Sequence, residues 1–203
     1  WIGGIDGPVK QYKNSILVNS YKTGNARTIV AGNKNIIYVG SASGLFEINK
    51  ATKNLKKIKS KGLKNLDRIY SLFFDKQNNC LWIGNTQGLL KYDFSTNYIT
   101  LLNKELNFES GTVFSIQKDS NHNLWLGSYS GLWKFNTKKS IISKYDNRDG
   151  LTIETFGIGA STKSSNGRFA FGGPEGATVF NPLNFSKEKE SFKIHVSNFK
   201  VNG

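Results

Sequence analysis

The chain has 203 residues, 37% of them hydrophobic and 13% aromatic, which is enough to bury a core and excludes a disordered polymer. Its 28 Lys and Arg against 14 Asp and Glu give a net charge of +14, a field that favours anionic partners or keeps a lysine-rich surface hydrated. A single cysteine excludes an internal disulfide framework, no Cys/His pair has metal-ligand spacing, and no apolar run reaches the length of a membrane-spanning helix.

Short period-two strands and tight turns recur along the chain, and no sustained helical stripe interrupts them. The first segment, "WIGGIDG" from Trp1, starts as if in the middle of a strand, so the chain is expected to be an excised piece of a longer array. Its relatives follow in order: "YVGSASG" from Tyr38, "WIGNTQG" from Trp82, "WLGSYSG" from Trp125 and "AFGGPEG" from Ala170. The leading glycines Gly3, Gly40, Gly84, Gly127 and Gly172 are 37, 44, 43 and 45 residues apart. A second glycine stands four residues after each, at Gly7, Gly44, Gly88, Gly131 and Gly176.

Within a unit, "RIYSLFFD" and "VFSIQKD" read as a first strand and "CLWIG" and "NLWLG" as a second. "GLLKYDF" and "GLWKFN" read as a third, "NYITLL" and "SIISKY" as a fourth. The linkers "KQNN" and "SNHN" are turn chemistry, and the paired glycines bracket a hairpin. Four antiparallel strands every 43 to 45 residues predict an all-β fold, a β-propeller of about four to five blades over residues 1–185. The Trp and Tyr residues before the glycines are expected between blades, where they bury apolar area. Ala170 breaks that pattern, and the 37-residue interval predicts a trimmed blade.

"LWIGNTQGLLKYD" and "LWLGSYSGLWKFN" resemble the repeats of two-component regulator propellers. Residues 149–185, "DGLTIETFGIGASTKSSNGRFAFGGPEGATVFNPLNF", resemble the last blade of such propellers in the sensor half of hybrid two-component systems. "FKIHVSNFKVNG" resembles the first strand of the immunoglobulin-like domain, named for its tyrosine repeats, that follows them; residues 186–203 are assigned to that linker and domain start. The resemblance implies a periplasmic sensor region of a hybrid histidine kinase that binds an oligosaccharide and controls polysaccharide-utilisation genes, and the charge of +14 points to an acidic oligosaccharide. It also implies a homodimer in the full-length sensor, anchored by a transmembrane helix outside this segment. No cofactor and no nucleic-acid partner are expected.

Nothing in the sequence argues for catalysis in this segment: there is no nucleophile elbow, Walker loop or dinucleotide fingerprint. His122 and His195 read as ordinary surface or edge residues, and Cys80 as a small buried side chain. Three loops enter first strands and are expected to converge on one face: 61–71, 106–115 and 149–157. They carry Asn65, Asp67, Arg68, Tyr70, Glu109, Thr112, Arg148 and Glu154, a mixture of carboxylates, guanidinium groups and a ring that suits sugar recognition. Asp149 lies in the same set. Tyr70, Phe114 and Phe156 are expected at equivalent positions, with Arg27 the exception one blade earlier. The lysines from Lys50 to Lys64 read as a solvated outer edge or as a surface for an anionic glycan. Two alternatives stay open, a propeller lyase and a purely structural or dimerisation propeller.

Overall fold

Alternation between glycine-paired turns leaves each segment one route to satisfy its backbone, which is to pair with the segment before and after it. The computed structural model, which describes residues 1–4, 7–59, 61–63 and 66–185, shows five such antiparallel sheets. Asn65, His195 and the whole of 186–203 lie outside the described residues.

The first sheet holds β1 (Ile2–Gly4), β2 (Gly7–Lys13) and β3 (Ile16–Tyr21). The second holds β4 (Ala26–Ala31), β5 (Ile36–Ser41), β6 (Gly44–Asn49) and β7 (Leu55–Lys57). The third holds β8 (Ser71–Asp75), β9 (Cys80–Asn85), β10 (Gly88–Asp93) and β11 (Tyr98–Leu101). A one-turn helix, α1 (Asn103–Leu106), follows it; the sequence pattern gives no hint of this turn, which delivers Leu106 and Phe108 to the core. The fourth sheet holds β12 (Ser115–Lys118), β13 (Asn123–Ser128), β14 (Gly131–Asn136) and β15 (Ile141–Tyr145). The fifth holds β16 (Ser161–Lys163), β17 (Phe169–Gly173) and β18 (Gly176–Phe180).

Each sheet is a meander in chain order, and the innermost strands β4, β8, β12 and β16 neighbour one another in succession. The sheets therefore fan about a shared line as propeller blades. Four apolar clusters fill the four gaps between the five blades. Val9 and Tyr21 meet Val39 and Phe46 in the first gap, and Tyr38 and Leu45 meet Ile69 and Leu81 in the second. Trp82 and Leu89 meet Val113 and Trp133 in the third, and Trp125 and Leu132 meet Phe156 and Phe171 in the fourth. Trp125 has no exposed surface, so truncating it would remove a large share of one gap.

The two glycines of the motif have separate jobs. A Cβ on Gly84 would stand 2.7 Å from the carbonyl oxygen of Val113 in the next blade, so the first glycine lets that strand pass. Gly88 has φ of 135°, a turn conformation that side chains resist.

The far end of the inner strands is locked by a polar device. Asp75 Oδ2 accepts from Trp82 Nε1 (3.3 Å) and Asn78 Nδ2 (2.8 Å), and Lys118 of the next blade adds an ion pair at 2.6 Å. Asp119 repeats the pattern, accepting from Trp125 Nε1 (2.9 Å) and Asn123 Nδ2 (2.8 Å). In the second blade Tyr38 replaces the indole and Gly32 the aspartate; a Cβ there would lie 2.6 Å from the tyrosine ring. In the fifth blade Ala170 and Ser164 replace both partners. The departure at Ala170 is thus one half of a paired change: without an indole N–H, a buried carboxylate loses one of the donors that offset its desolvation.

Candidate site at the hub-side loops

The loops that leave a fourth strand and enter the next innermost strand emerge at one end of the blades, beside the turns between paired glycines. Each incoming loop is fastened twice. Ile69 N–H donates to Ser41 O (3.1 Å), Val113 N–H to Asn85 O (3.0 Å) and Phe156 N–H to Ser128 O (3.0 Å), all across to the preceding blade. The following residue then bonds within its own blade: Tyr70 to Gly84 O (2.8 Å), Phe114 to Gly127 O (2.9 Å) and Gly157 to Gly172 O (2.8 Å).

This pattern corrects one sequence expectation. Phe156 is the counterpart of Ile69 and Val113, packed between blades at 1% exposure, and Gly157 stands where Tyr70 and Phe114 stand. Ile158 and Gly159 intervene before the inner strand resumes, so the shared position stands 15 residues before Gly172, against 14 before Gly84 and 13 before Gly127, and falls on Gly157 beside the ring.

Arg27 does share the position of Tyr70 and Phe114. In the second blade Ala26 opposes Ser41 and Thr28 opposes Gly40, so Arg27 is the extra residue of a β-bulge. Its guanidinium lies 4.7 Å from the centre of the Tyr70 ring. Tyr70 meets Phe114 edge-on at 5.2 Å, and Phe114 meets Tyr129 edge-on at 4.5 Å. The result is a column of one cation and three rings crossing three blades. Tyr129, on the turn between Gly127 and Gly131, is 68% exposed. Sequence reasoning missed it, although its place between the paired glycines puts it on the same face as the entering loops.

The other predicted residues occupy this face without forming one cluster. Asp67 and Arg68 are exposed; the Asp67 carbonyl accepts from Asn85 Nδ2 (3.3 Å), and Arg68 has φ of 47°. Glu109 is exposed, and Thr112 is half-buried with its hydroxyl donating to Thr86 O (3.4 Å). Arg148 is held by Asp146 through two bonds of 3.1 and 2.6 Å, and Glu154 accepts from Asn147 N–H (2.9 Å) in the same loop. Asp149 accepts from Asp146 N–H (3.0 Å), closing a capping box. No hydrogen bond or ion pair links Asp67, Arg68, Glu109 and Thr112 to one another.

On the opposite face a cleft of about 460 Å³ is lined by Lys76, Gln77, Lys118, Ser120, His122 and Lys163, above Asp75 and Asp119. Burial raises the Asp75 pKa, but hydrogen bonds from Lys118, Asn78 and Trp82 and the lysine charge outweigh it and leave the carboxyl below its ordinary value. Cys80 is buried, which with the Asp75 charge pushes its thiol up to about 11. Among the described residues, no group of three or more His, Cys, Asp and Glu is placed to hold a metal ion.

Fold and hub together define the class: a β-propeller of three- and four-stranded blades with an open loop face. Residues 107–130 match the two component regulator propeller model, and the other blades repeat the design of that unit. The chain is 33% identical over 90 residues, 44% of its length, to Histidine kinase P4 of Formosa agariphila, and that match spans 7% of the relative. Among solved structures it is similar to the extracellular domain of the hybrid two component system BT4673 of B. thetaiotaomicron. That superposition has a TM-score of 0.69 at 22% identity and covers 88% of this chain and 25% of the other. The extracellular domain of the BT3049 system from the same organism gives 0.53 at 18% identity, covering 90% and 37%. These two likenesses concern the fold.

Proposed function

We propose that this chain is part of the periplasmic sensor region of a hybrid two-component histidine kinase, recognising an oligosaccharide on its hub-side face. The observation that carries the reading is the two component regulator propeller repeat at 107–130, in a chain that is also one-third identical to a histidine kinase over 90 residues. The hub face supports the sugar: Tyr129 presents an exposed ring that is apolar on its flat sides, and Arg27 brings a guanidinium able to pair with hydroxyls to the Tyr70 ring. Signalling then follows from differential affinity. An occupant that binds one arrangement of the sensor dimer more tightly shifts the kinase population towards it, and polysaccharide-utilisation genes respond.

Calorimetry of the full chain against a panel of neutral and acidic oligosaccharides tests this. Binding that is weakened by Tyr129→Ala supports recognition at the hub face. A panel in which no sugar binds overturns it.

A further inference from the structure

We propose that Arg27 receives the negatively charged substituent, a carboxylate or a sulfate ester, of the saccharide ligand. The inference rests on the oligosaccharide reading above and names the chemistry that the ligand must carry.

Packing alone does not call for an arginine at this position. Its counterparts Tyr70 and Phe114 show that an aromatic ring fills the place. Arginine keeps its charge at any physiological pH, so its presence here costs desolvation that a ring would not. Of the described residues, two pairs form ion pairs, Lys118 with Asp75 and Arg148 with Asp146, and Arg27 takes part in neither. Its Nη1 is fully enclosed and has no hydrogen-bond partner, while the residue as a whole remains partly open to solvent. The other enclosed orphans are neutral: the hydroxyls of Tyr21, Ser71 and Ser115 and the indole of Trp133. Among the described residues Arg27 is the charged one.

The surroundings prepare the group for an occupant. The bulge lifts Arg27 out of regular pairing, a device that re-aims a side chain, and the Tyr70 face holds the guanidinium plane from one side. A planar fork fixed in this way matches carboxylate or sulfate oxygens, which accept two parallel N–H bonds. Tyr129, at the other end of the column, offers an exposed ring to a neighbouring sugar unit. The net charge of +14 draws an anionic ligand towards the surface at long range.

The test is calorimetry of the full chain at low and at physiological salt with three trisaccharides: galacturonic acid, sulfated galactose and neutral galactose. The charged sugars should bind more tightly than the neutral one, and whichever of the two is tighter identifies the substituent. Arg27→Gln should weaken the charged sugar roughly 10- to 100-fold, as expected for losing hydrogen bonds to a charged group, and leave the neutral sugar unchanged. Arg27→Lys keeps the charge and loses the fork, so it should weaken binding by a smaller factor; it decides the matter where the glutamine variant fails to fold. Lys163→Gln, in the cleft on the opposite face, should have no effect. Equal affinity for charged and neutral sugars, or anion binding that follows Lys163 and ignores Arg27, overturns the assignment and leaves the sugar-sensor reading standing. If none of the three binds while the chain is folded, and a wider panel is equally silent, the sensor reading falls and the assignment with it.

Discussion

The two ends of the inner strands are built from similar residue types and finished differently. At the far end every buried charge is answered: Asp75 takes a lysine, an indole and an amide, and Asp119 takes an indole and an amide. The hub end carries unpartnered atoms: Arg27 Nη1, and the hydroxyls of Ser71 and Ser115, which open the next two inner strands. Closed polar chemistry holds blades together, whereas an unanswered charge is a cost that packing does not recover. The contrast separates what the fold needs from what it is free to offer a ligand.

The sharpest way to break the closed end is to remove its indole. Trp125→Ala takes away a fully buried ring that touches Tyr145, Phe180 and Phe185, and strips Asp119 of a donor. Destabilisation of about 3–5 kcal/mol is expected, read from the shift of the urea midpoint. A shift no larger than that of an ordinary surface substitution would show that the blades are not wedged by these rings.

Removing the carboxylate comes next. Asp75→Ala leaves the Lys118 ammonium with little exposed surface and no counter-charge, for a loss of roughly 2–3 kcal/mol, held below the buried-pair extreme by the adjoining cleft. The pH dependence gives a second reading of the same pair. Because the folded carboxyl lies below its ordinary value, its stabilisation is fully present above about pH 3.9, the unfolded value, and drains away as pH falls through the folded value. The gap in melting temperature between the chain and Asp75→Asn should be full at pH 7 and close below about pH 4. A gap that widens in acid would mean the carboxylate is not the group stabilised in the folded state.

Much of the blade framework was legible in the sequence, because the same constraint is written several times. The leading glycines mark where a neighbouring strand passes, the second glycines mark positive φ, and the large rings before them mark the gaps between blades. The aspartate lock was missed, since its partners lie six or seven residues apart and read as a strand-end acid and a core indole. The hub was legible as a face and not as a site. Arg148 and Glu154 are occupied within their own loop, a local pairing that spacing along the chain does not reveal. Phe156 was misplaced because its ring resembles Tyr70 and Phe114, whereas the position they share falls on Gly157, where no side chain marks it.

The smallest effect falls on stability at the open end, and it discriminates best between the two ends. Arg27→Leu removes an unpaired guanidinium and keeps an apolar stem for the Tyr70 ring to pack on. Lost cation–π attraction and relieved desolvation oppose each other, each on the order of 1 kcal/mol, so the urea midpoint should move little in either direction. Near-neutral stability combined with loss of anionic-sugar binding places Arg27 among residues kept for recognition. A loss as large as that of Asp75→Ala would instead make it a structural member of the hub, and the contrast between the two ends would dissolve.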